Sequence, residues 1–496
     1  MDAPSRWLAA AGALALAATA AAGERDPGAY LATVRAYADA LLEHGRDVYG
    51  SQHSPLFATT LDRQALRLFQ GEALARIKSI PRRDWGIRPY DRAVEGANPM
   101  HHENLYQVLY ALARITGQER YRREADRALA WFFTHCQSPA TGLFAWGEHL
   151  GWNFLAERRI RQHSEPGTHE FYRPWVLWDR SFRLAPGPCG AFARGLWDHQ
   201  IADHESGDFS RHAAYDRHGP GRNSQYPRHG GFYIATWAAA YKHTSDRQSL
   251  QAIECLVESF DRRRNPKTDA LPAETHRRSK GKLMWPGSNL SLAIDLWDGA
   301  ALVPQPLAER MRASARRTDA VYLRLDHAPA APDGGFLTRV NTDTLGLYQP
   351  GAYTRAWATA YGQSTHADAA LLCLQRYRQV RLEGYARLFR QAAGVYLDCE
   401  PDPEVVLHPG VMGQVIELML QAWRTSGEER YRSRAHHFAR HALATFFEGS
   451  PLPRATSRHD HYEAITRADT LAMALLDLWA AEQEPAVDLG FVGCER

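Results

Sequence analysis

A helix–turn–helix pattern recurs along this chain, and it constrains the fold more than any other feature of the sequence. The two clearest copies span residues 109–133 and 420–447, and two weaker copies span 237–260 and 357–377. Each copy reads as an apolar helix, a short polar turn with Thr, Ser or Gly, and a second amphipathic helix. One such hairpin cannot bury its own apolar face, so the repetition predicts a stack or a ring of helical pairs.

The segments between the copies favour a ring over an open stack. They are long and rich in Gly, Pro and aromatic residues, whereas an open solenoid has short uniform loops; examples are residues 284–289, 331–343, 407–414 and 457–469. Strand-like alternation is sparse. We therefore predict an all-α fold, an (α/α) toroid of six or seven helical hairpins formed as one catalytic domain by residues 23–496. The cleft-lining loops are predicted at 146–153, 164–178, 205–217 and 222–233.

The first residues of the chain predict export from the cytoplasm. Arg6 is followed by an apolar run over residues 7–22 that ends in small residues. This arrangement is typical of a secretory signal peptide, and the run is short for a membrane span. We therefore expect residues 1–22 to be cleaved and the mature protein to be secreted or periplasmic, without a membrane span.

The overall composition excludes some classes of function. The formal net charge is +3, and Lys and Arg form no dense block with interleaved aromatic residues. Nucleic acid is therefore not an expected partner. The six cysteines are dispersed without zinc-like spacing, and a chain of this length does not need disulfides for stability.

The residues with the clearest chemical meaning lie between Trp146 and Asp216. This stretch contains three residues able to bind a metal, His149, Glu170 and His212, and Arg211 directly precedes the last of them. Imidazole and carboxylate groups are common ligands of divalent metals that keep positions free for substrate. The chain has 23 histidines, so no single one is informative; the order and the separations of 21 and 42 residues carry the signal.

The ordered set His149, Glu170, Arg211 and His212 resembles the family 2 polysaccharide lyases, the metal-dependent pectate lyases of the α/α-barrel type. The resemblance implies that His149, Glu170 and His212 bind a divalent metal, often manganese in that family, with calcium, magnesium or another divalent ion as alternatives. It also implies that Arg211 abstracts the C5 proton of the sugar. The expected partner is an acidic polysaccharide or oligosaccharide, with pectate as the substrate.

The chemistry of β-elimination is compatible with these residues but leaves the base open. Cleavage of a 4-linked uronate removes a weakly acidic proton next to a carboxylate, and a metal on that carboxylate would stabilise the charge that develops. Arginine is a poor base because its pKa exceeds about 12. The residues alone equally allow Tyr172 or Tyr215 as the base, with Arg211 neutralising the carboxylate. The resemblance favours Arg211.

Other residues of the predicted loops are candidates for binding the sugar. Arginine pairs with carboxylates, and aromatic faces stack on sugar rings, so we expect at least one arginine of this set to bind a uronate carboxylate. The principal candidates are His169, Tyr172, Arg173, Arg228 and His229. A further group is His461, Tyr462 and Arg467. The metal segment, the stretch from Trp146 to Asp216, also supplies tryptophan candidates; they are Trp146, Trp152, Trp175 and Trp178. The alternative for each is an ordering or packing role.

Two other functions stay open from the sequence. A glycoside hydrolase on the same toroid, such as one that removes unsaturated uronyl groups, needs a pair of carboxylates. Asp179, Asp208, Asp295 and Asp343 are available for that role. A non-catalytic carbohydrate-binding protein would need none of these groups. Metal dependence separates the lyase from the hydrolase, and turnover separates both from the binding protein.

Overall fold

Helical hairpins make up most of the computed structural model, which describes residues 26–160, 167–217, 225–275, 279–359 and 364–495. The predicted signal peptide, residues 1–22, lies outside the described residues. The helices are α1 (Pro27–Glu43), α2 (Gly71–Lys78), α3 (Arg82–Trp85), α4 (Glu103–Thr116), α5 (Arg120–His135), α6 (Trp178–Leu184), α7 (Pro186–Gln200), α8 (Pro227–Thr244), α9 (Arg247–Arg263), α10 (Pro286–Gly299), α11 (Gln305–Tyr322), α12 (His366–Val380), α13 (Glu383–Val395), α14 (Pro409–Ser426), α15 (Glu429–Ala442) and α16 (Ala468–Ala481).

The strands are two or three residues long and belong to the segments between helices. All their pairings are antiparallel: β1 (Thr60–Leu61) with β11 (Tyr462–Glu463), β2 (Gly96–Ala97) with β3 (Trp152–Asn153), β3 with β4 (Arg158–Arg159), β5 (Thr168–His169) with β8 (Ala213–Ala214), β6 (Ile201–Asp203) with β7 (Asp208–Phe209), and β9 (Leu283–Met284) with β10 (Val340–Asn341). These ribbons tie loops together and form no continuous sheet within the described ranges.

The helices close into a double ring. The inner helices are α4, α6, α8, α10, α12, α14 and α16; the first six each pack against the outer helix that follows in the chain, and α16 packs against α1. Helix α16 packs on α4, and α1 covers both from outside, which joins the end of the ring to its beginning. Between α4 and α6, Arg180 lies 5.0 Å over the ring of Tyr110. The predicted (α/α) toroid is therefore confirmed, with six consecutive hairpins and a seventh helical pair, α16 with α1, among the described residues.

Three of the four sequence repeats form the predicted hairpins. The copies at 109–133, 237–260 and 420–447 correspond to α4–α5, α8–α9 and α14–α15. The described part of the copy at 357–377 does not form a hairpin, because residues 357–359 are not helical and α12 begins only at His366; residues 360–363 lie outside the described residues. The side chain of Thr365 accepts a hydrogen bond from the backbone of the first turn, which is the usual way a helix start is fixed.

The two ends of the ring differ in the length of their connections. At one end the hairpin turns are short, and Gly117 and Gly427 end α4 and α14 in the left-handed conformation that glycine favours. At the other end lie the long segments before the inner helices. The predicted loop 222–233 is partly helical, since Pro227 starts α8 and residues 218–224 lie outside the described part. The long loops therefore surround one opening, at the first turns of the inner helices.

The tryptophans of the metal segment serve mostly as core. Trp146, Trp175 and Trp178 are buried and pack against one another, with ring centroids 4.9 Å apart for the first two. Trp152 is half-buried in β3 against Trp131. All six cysteines are free thiols. No helix in the described ranges is both long enough and apolar enough to pass through a membrane.

Candidate metal centre and cleft

Glu170 is the centre of the candidate site. Its side chain is fully buried, and its Oε2 lies 3.0 Å from His149 Nε2 and 2.6 Å from His212 Nε2. The guanidinium of Arg211 donates to Oε1, and His229 Nε2 lies 3.3 Å from the same oxygen. Ligand atoms of His149, Glu170 and His212 all lie within 4.8 Å of one another. The three residues proposed from their spacing are thus brought together.

A short antiparallel ribbon places Glu170 opposite His212. In the register of β5 and β8, His169 faces Ala213. One step further along this register Glu170 faces His212, across the gap between two antiparallel strands. The 42 residues between them in the chain are therefore bridged by a local pairing, and Arg211 arrives beside Glu170 on the same segment.

The His149 loop is held against Glu170 by backbone contacts. Gly147 forms a parallel bridge with Glu170 and has a φ of +100°, a region in which residues with a Cβ are strained. The buried side chain of Asn98 donates to the carbonyls of Gly147 at 2.7 Å and Leu150 at 3.0 Å. These bonds lie on both sides of His149 in the chain, so its backbone is fixed before any metal binds.

We expect Gly147→Ala to damage the site through the backbone alone. A Cβ at this position would lie 1.8 Å from the carbonyl oxygen of Glu170, so the two segments must separate. Metal affinity should fall by more than about tenfold, because ligands displaced by even 1 Å lose their geometry. The measurement is manganese titration by calorimetry. Gly187→Ala is the matched control, since no neighbouring atom would meet its Cβ; equal effects in both variants would contradict the argument.

Asp91 orients His149 from behind. The Nδ1 atom of His149 lies 3.0 Å from Asp91 Oδ1, and Arg88 bridges Asp91 to Glu148. Burial lowers the pKa of His149, but the bonds to Asp91 and Glu170 outweigh it and raise the pKa to about 9. A carboxylate on the second ring nitrogen is the arrangement that directs Nε2 of a histidine at a metal.

The charges around Glu170 keep it ionised. Burial raises the pKa of its carboxyl, yet hydrogen bonds from His149, His212 and His229 and the charge of Arg211 hold it well below its ordinary value. For Arg211, burial lowers the pKa, but Glu170 and Glu148 leave it raised. Burial lowers the pKa of His229 to about 3, so this ring is neutral. The centre is therefore an anionic carboxylate among cationic and neutral nitrogen groups.

These residues fit a divalent metal. Two imidazole Nε2 atoms and one carboxylate oxygen converge. One of the imidazoles, His149, also has the carboxylate of Asp91 on its other ring nitrogen. Ligand sets of this type bind manganese, iron or zinc and leave positions free for substrate. The side chain of His212 is more than a third exposed, so solvent reaches the group, and its neighbours Glu148 and Arg211 line the cleft. His149, Glu170 and His212 are therefore the residues that would hold the ion.

The centre opens on a cleft of about 660 Å³ rich in arginine. Its lining includes eight arginines against the three carboxylates Glu148, Asp368 and Glu495; the arginines are Arg82, Arg88, Arg173, Arg211, Arg228, Arg339, Arg355 and Arg467. A cleft lined by one sign of charge concentrates ligands of the opposite sign. The expected ligand is therefore polyanionic.

Arg211 lies between the metal centre and an aromatic pair. Its guanidinium stands 5.0 Å over the ring of Tyr226, whose ring centroid is 4.4 Å from that of Trp285. The side chain of Gln200 donates to the carbonyl of Arg211 at 2.7 Å, which holds the segment in place. Arg211, Tyr226 and Trp285 all line the cleft, so the arginine faces the space where a sugar would lie.

Of the predicted sugar-binding residues, Tyr172, Arg173 and Arg228 line the cleft. The structure does not bring His169 there. Its ring is fully buried, its Nδ1 lies 3.2 Å from Gln200 Oε1, and successive strand side chains point to opposite faces, so the neighbour of Glu170 points away.

His229 lies at the site but not in the cleft lining. It was expected on a loop, and the structure places it in the first turn of α8, fully buried behind Glu170. Of the further group, Arg467 lines the cleft, whereas His461 and Tyr462 are buried; the hydroxyl of Tyr462 lies 2.7 Å from His102 Nε2. These two residues order the structure rather than face the cleft.

The two tyrosines considered as bases differ in position. Tyr215 is buried, and its hydroxyl donates to the carbonyl of Cys136 at 3.3 Å, away from the cleft lining. Tyr172 lines the cleft, but its hydroxyl donates to the carbonyl of Ile465 at 3.2 Å, and burial raises its pKa to about 12. Of the three residues considered as the base, Arg211 and Tyr172 therefore line the cleft and Tyr215 does not.

The four aspartates considered for hydrolysis do not form a pair. None belongs to the cleft lining in the described part of the chain. Asp179 binds Lys242 at 2.7 Å, Asp208 binds Arg263 at 2.6 Å, Asp343 accepts from Asn265 at 2.7 Å, and Asp295 is buried within α10.

Several residues of the site gave no signal in the sequence. Asp91 and Arg88 lie about 60 positions before the residues that they contact and belong to no motif. Arg339 lies in the segment 331–343 that was predicted as a loop, Arg355 lies beyond it, and neither was expected in the cleft. Glu148, next to His149, is the one residue that proximity in the sequence could have revealed.

Residues 83–288 match the model of a family described as periplasmic pectate lyase. A pectate disaccharide-lyase of Dickeya dadantii (strain 3937) is 24% identical over 135 residues, 27% of this chain. The chain spans about a quarter of that relative, since the match covers 25% of its length.

Two solved structures are similar to this chain over most of its length. An unsaturated glucuronyl hydrolase specific for heparin is 10% identical, with 94% of this chain and 100% of that chain covered and a TM-score of 0.47. Cellobiose 2-epimerase from Bacillus thermoamylovorans B4167 is 9% identical, with coverages of 91% and 99% and a TM-score of 0.47. Similarity at this level of sequence identity and TM-score gives no information about the activity of this chain. The matched segment 83–288 contains Glu170 and its four partners, so the candidate site lies within the part of the chain that resembles the periplasmic pectate lyase family.

Proposed function

We propose that this protein is a polysaccharide lyase that cleaves a 4-linked uronate polymer, polygalacturonate in the first instance, by metal-assisted β-elimination. The observation that carries the proposal is the meeting of His149, Glu170 and His212 on one point beside Arg211, inside an arginine-rich cleft. The match of residues 83–288 to the pectate lyase family supports the reaction class.

The metal proposed for this site is manganese. When bound by His149, Glu170 and His212, such an ion would place positive charge beside the uronate carboxylate. This charge would increase the acidity of the proton on C5. Asp91 would keep the ring of His149 directed at the site. Arginines of the cleft such as Arg228 would pair with carboxylates of neighbouring sugars.

We assign the removal of the C5 proton to Arg211. In the present arrangement Arg211 is a cation bonded to Glu170, so the role requires the guanidinium to leave Glu170 and to give up one proton to solvent before it can act as a base. The proton would pass from C5 to the guanidine, the electrons would form the C4=C5 double bond, and the C4–O4 bond would break with departure of the leaving sugar. The alternative role for Arg211, a cation facing the carboxylate, leads to the same products.

The family description also supports the proposed location. The matched family is described as periplasmic, and the apolar run at residues 7–22 has the composition of a signal peptide. We therefore propose that the protein meets its substrate outside the cytoplasm.

The test is incubation with polygalacturonate after treatment with a chelator, with and without added manganese. We expect the ultraviolet absorbance of the C4=C5 bond to rise only with metal, because the ion would stabilise the carboxylate charge in the transition state. His53→Ala, an exposed histidine outside the cleft lining, is the control for His212→Ala and should retain full activity.

Two results would contradict the proposal. New reducing ends without ultraviolet absorbance would indicate hydrolysis instead of elimination. Binding of the polymer without any turnover would indicate a carbohydrate-binding protein.

A further inference from the structure

The segment after α16 returns to the cleft along α4. The backbone of Val492 exchanges two hydrogen bonds with the side chain of Gln107, both at 2.9 Å. Cys494 donates through Sγ to Asn104 Oδ1 at 3.1 Å and is fully buried. Because Asn104 lies nearer the first turn of α4 than Gln107, the segment runs antiparallel to that helix. It therefore arrives at the end of the ring where the long loops lie.

This path places the carboxylate of Glu495 between two arginines. Arg173 Nη1 lies 3.1 Å from Glu495 Oε1, and Arg467 forms an ion pair with Oε2. Thr470 donates its hydroxyl to Oε1, and the amide of Asn104 lies 3.4 Å from the same atom. Burial raises the pKa of Glu495, but the charges of Arg467 and Arg173 hold it at about 2. The carboxylate is ionised and bound on both oxygens.

These contacts belong to the same cleft as the metal centre. Arg173, Arg467 and Glu495 line it together with Arg211 and Glu148. Two guanidinium groups around one carboxylate, completed by a hydroxyl, form the kind of site by which proteins recognise carboxylate ligands. The group that occupies it here is a side chain of the protein itself.

We propose that Arg173 and Arg467 form a carboxylate-binding subsite of the cleft, which Glu495 fills in place of a uronate carboxylate and thereby closes to the polymer. The identification of the excluded ligand as a uronate rests on the proposed function. The inference that the subsite binds a carboxylate rests only on the contacts of Glu495 with Arg173 and Arg467. Glu495 is then a residue that determines how many sugars the cleft accepts on this side.

The test is rescue of Glu495→Ala by added carboxylates, without metal and without polymer. Removal of the carboxylate leaves two buried arginines facing each other, so the melting temperature should fall by several degrees. Sodium galacturonate and sodium acetate should restore it saturably, whereas sodium chloride at equal ionic strength should not. The shift that galacturonate gives to the wild type is subtracted, because the centre at Glu170 is itself proposed to bind uronate.

Two variants serve as controls. Glu482 binds Arg432 and His436 at the end of α16 that lies opposite the cleft, so Glu482→Ala removes a comparable carboxylate far from it. This variant should lose stability without rescue by galacturonate. The double variant Glu495→Ala with Arg467→Ala should lose the rescue seen in the single variant.

The outcomes separate the two proposals. Saturable rescue of Glu495→Ala that depends on Arg467 supports the subsite even if the protein proves not to be a lyase, because the measurement involves no turnover. Should the variant fail to fold alone, recovery of its native circular dichroism on adding galacturonate supports the subsite equally. Absence of rescue or recovery overturns the proposal and leaves Glu495 as a structural ion-pair partner only.

Discussion

Replacement of Arg211 by alanine is expected to reduce elimination on polygalacturonate by at least about 10³-fold. General-base catalysis contributes about 10²–10⁴-fold, and this substitution also removes a positive charge at the reacting centre. The side chain lines the cleft, so the loss should appear mainly in kcat/KM. Initial rates of ultraviolet absorbance measure this loss, with circular dichroism as the folding check.

The same position distinguishes the two roles proposed for arginine. Lysine keeps the charge and is the easier base, but it lacks the planar guanidinium fork. Arg211→Lys should restore much of the rate if charge alone matters and little if the fork geometry matters. Arg217→Ala is the matched control, an exposed arginine on the same segment. Near-normal elimination by Arg211→Ala would show that the assignment is wrong.

Glu170→Gln is expected to abolish tight metal binding while keeping the shape of the side chain. The substitution removes the negative charge on which His149, His212 and Arg211 converge. Loss of a residue that merely supports a metal ligand costs about 10–100-fold in affinity, so loss of a charged ligand should exceed about 100-fold. Calorimetric titration with manganese gives this number, and activity should fall with it.

Substitutions of neighbouring residues serve as comparisons for Glu170→Gln. Glu148→Gln removes a nearby carboxylate whose closest approach to His149 Nε2 is 3.8 Å, outside the proposed ligand set, and should have a much smaller effect. His212→Ala should be relieved in part by excess manganese, whereas Arg211→Ala should not. Equal metal affinity in Glu170→Gln and the wild type would remove Glu170 from the metal site.

The sequence was sufficient for the local structure because helices are determined by near neighbours. Apolar spacing and turn residues predicted the hairpins at 109–133 and 420–447, and the long intervening loops predicted the ring. The same reasoning was wrong at 357–377, where the described residues form only one helix. It also missed the hairpins of α6, α10 and α12, whose sequences lack a clear turn.

The residues of the centre were found by their order, and tertiary structure decided what surrounds them. His149, Glu170 and His212 could be named from their separations, since residue type and spacing are written in the chain. His169 faces the core, whereas Glu170 faces the site, because neighbouring side chains of a strand point to opposite faces. This alternation could be applied only once the pairing of β5 with β8 was known.

The remaining partners come from distant parts of the chain. Asp91 lies 58 positions from His149, and Glu495 lies 322 positions from Arg173. No local pattern connects such residues. Asp91 meets His149 across the two ends of the first hairpin, and Glu495 reaches Arg173 because the last inner helix packs on the first. The sequence by itself thus determined the helical hairpins and the identity of the central residues. Ring closure decided which charges face the cleft and which of them the chain's own carboxylates already neutralise.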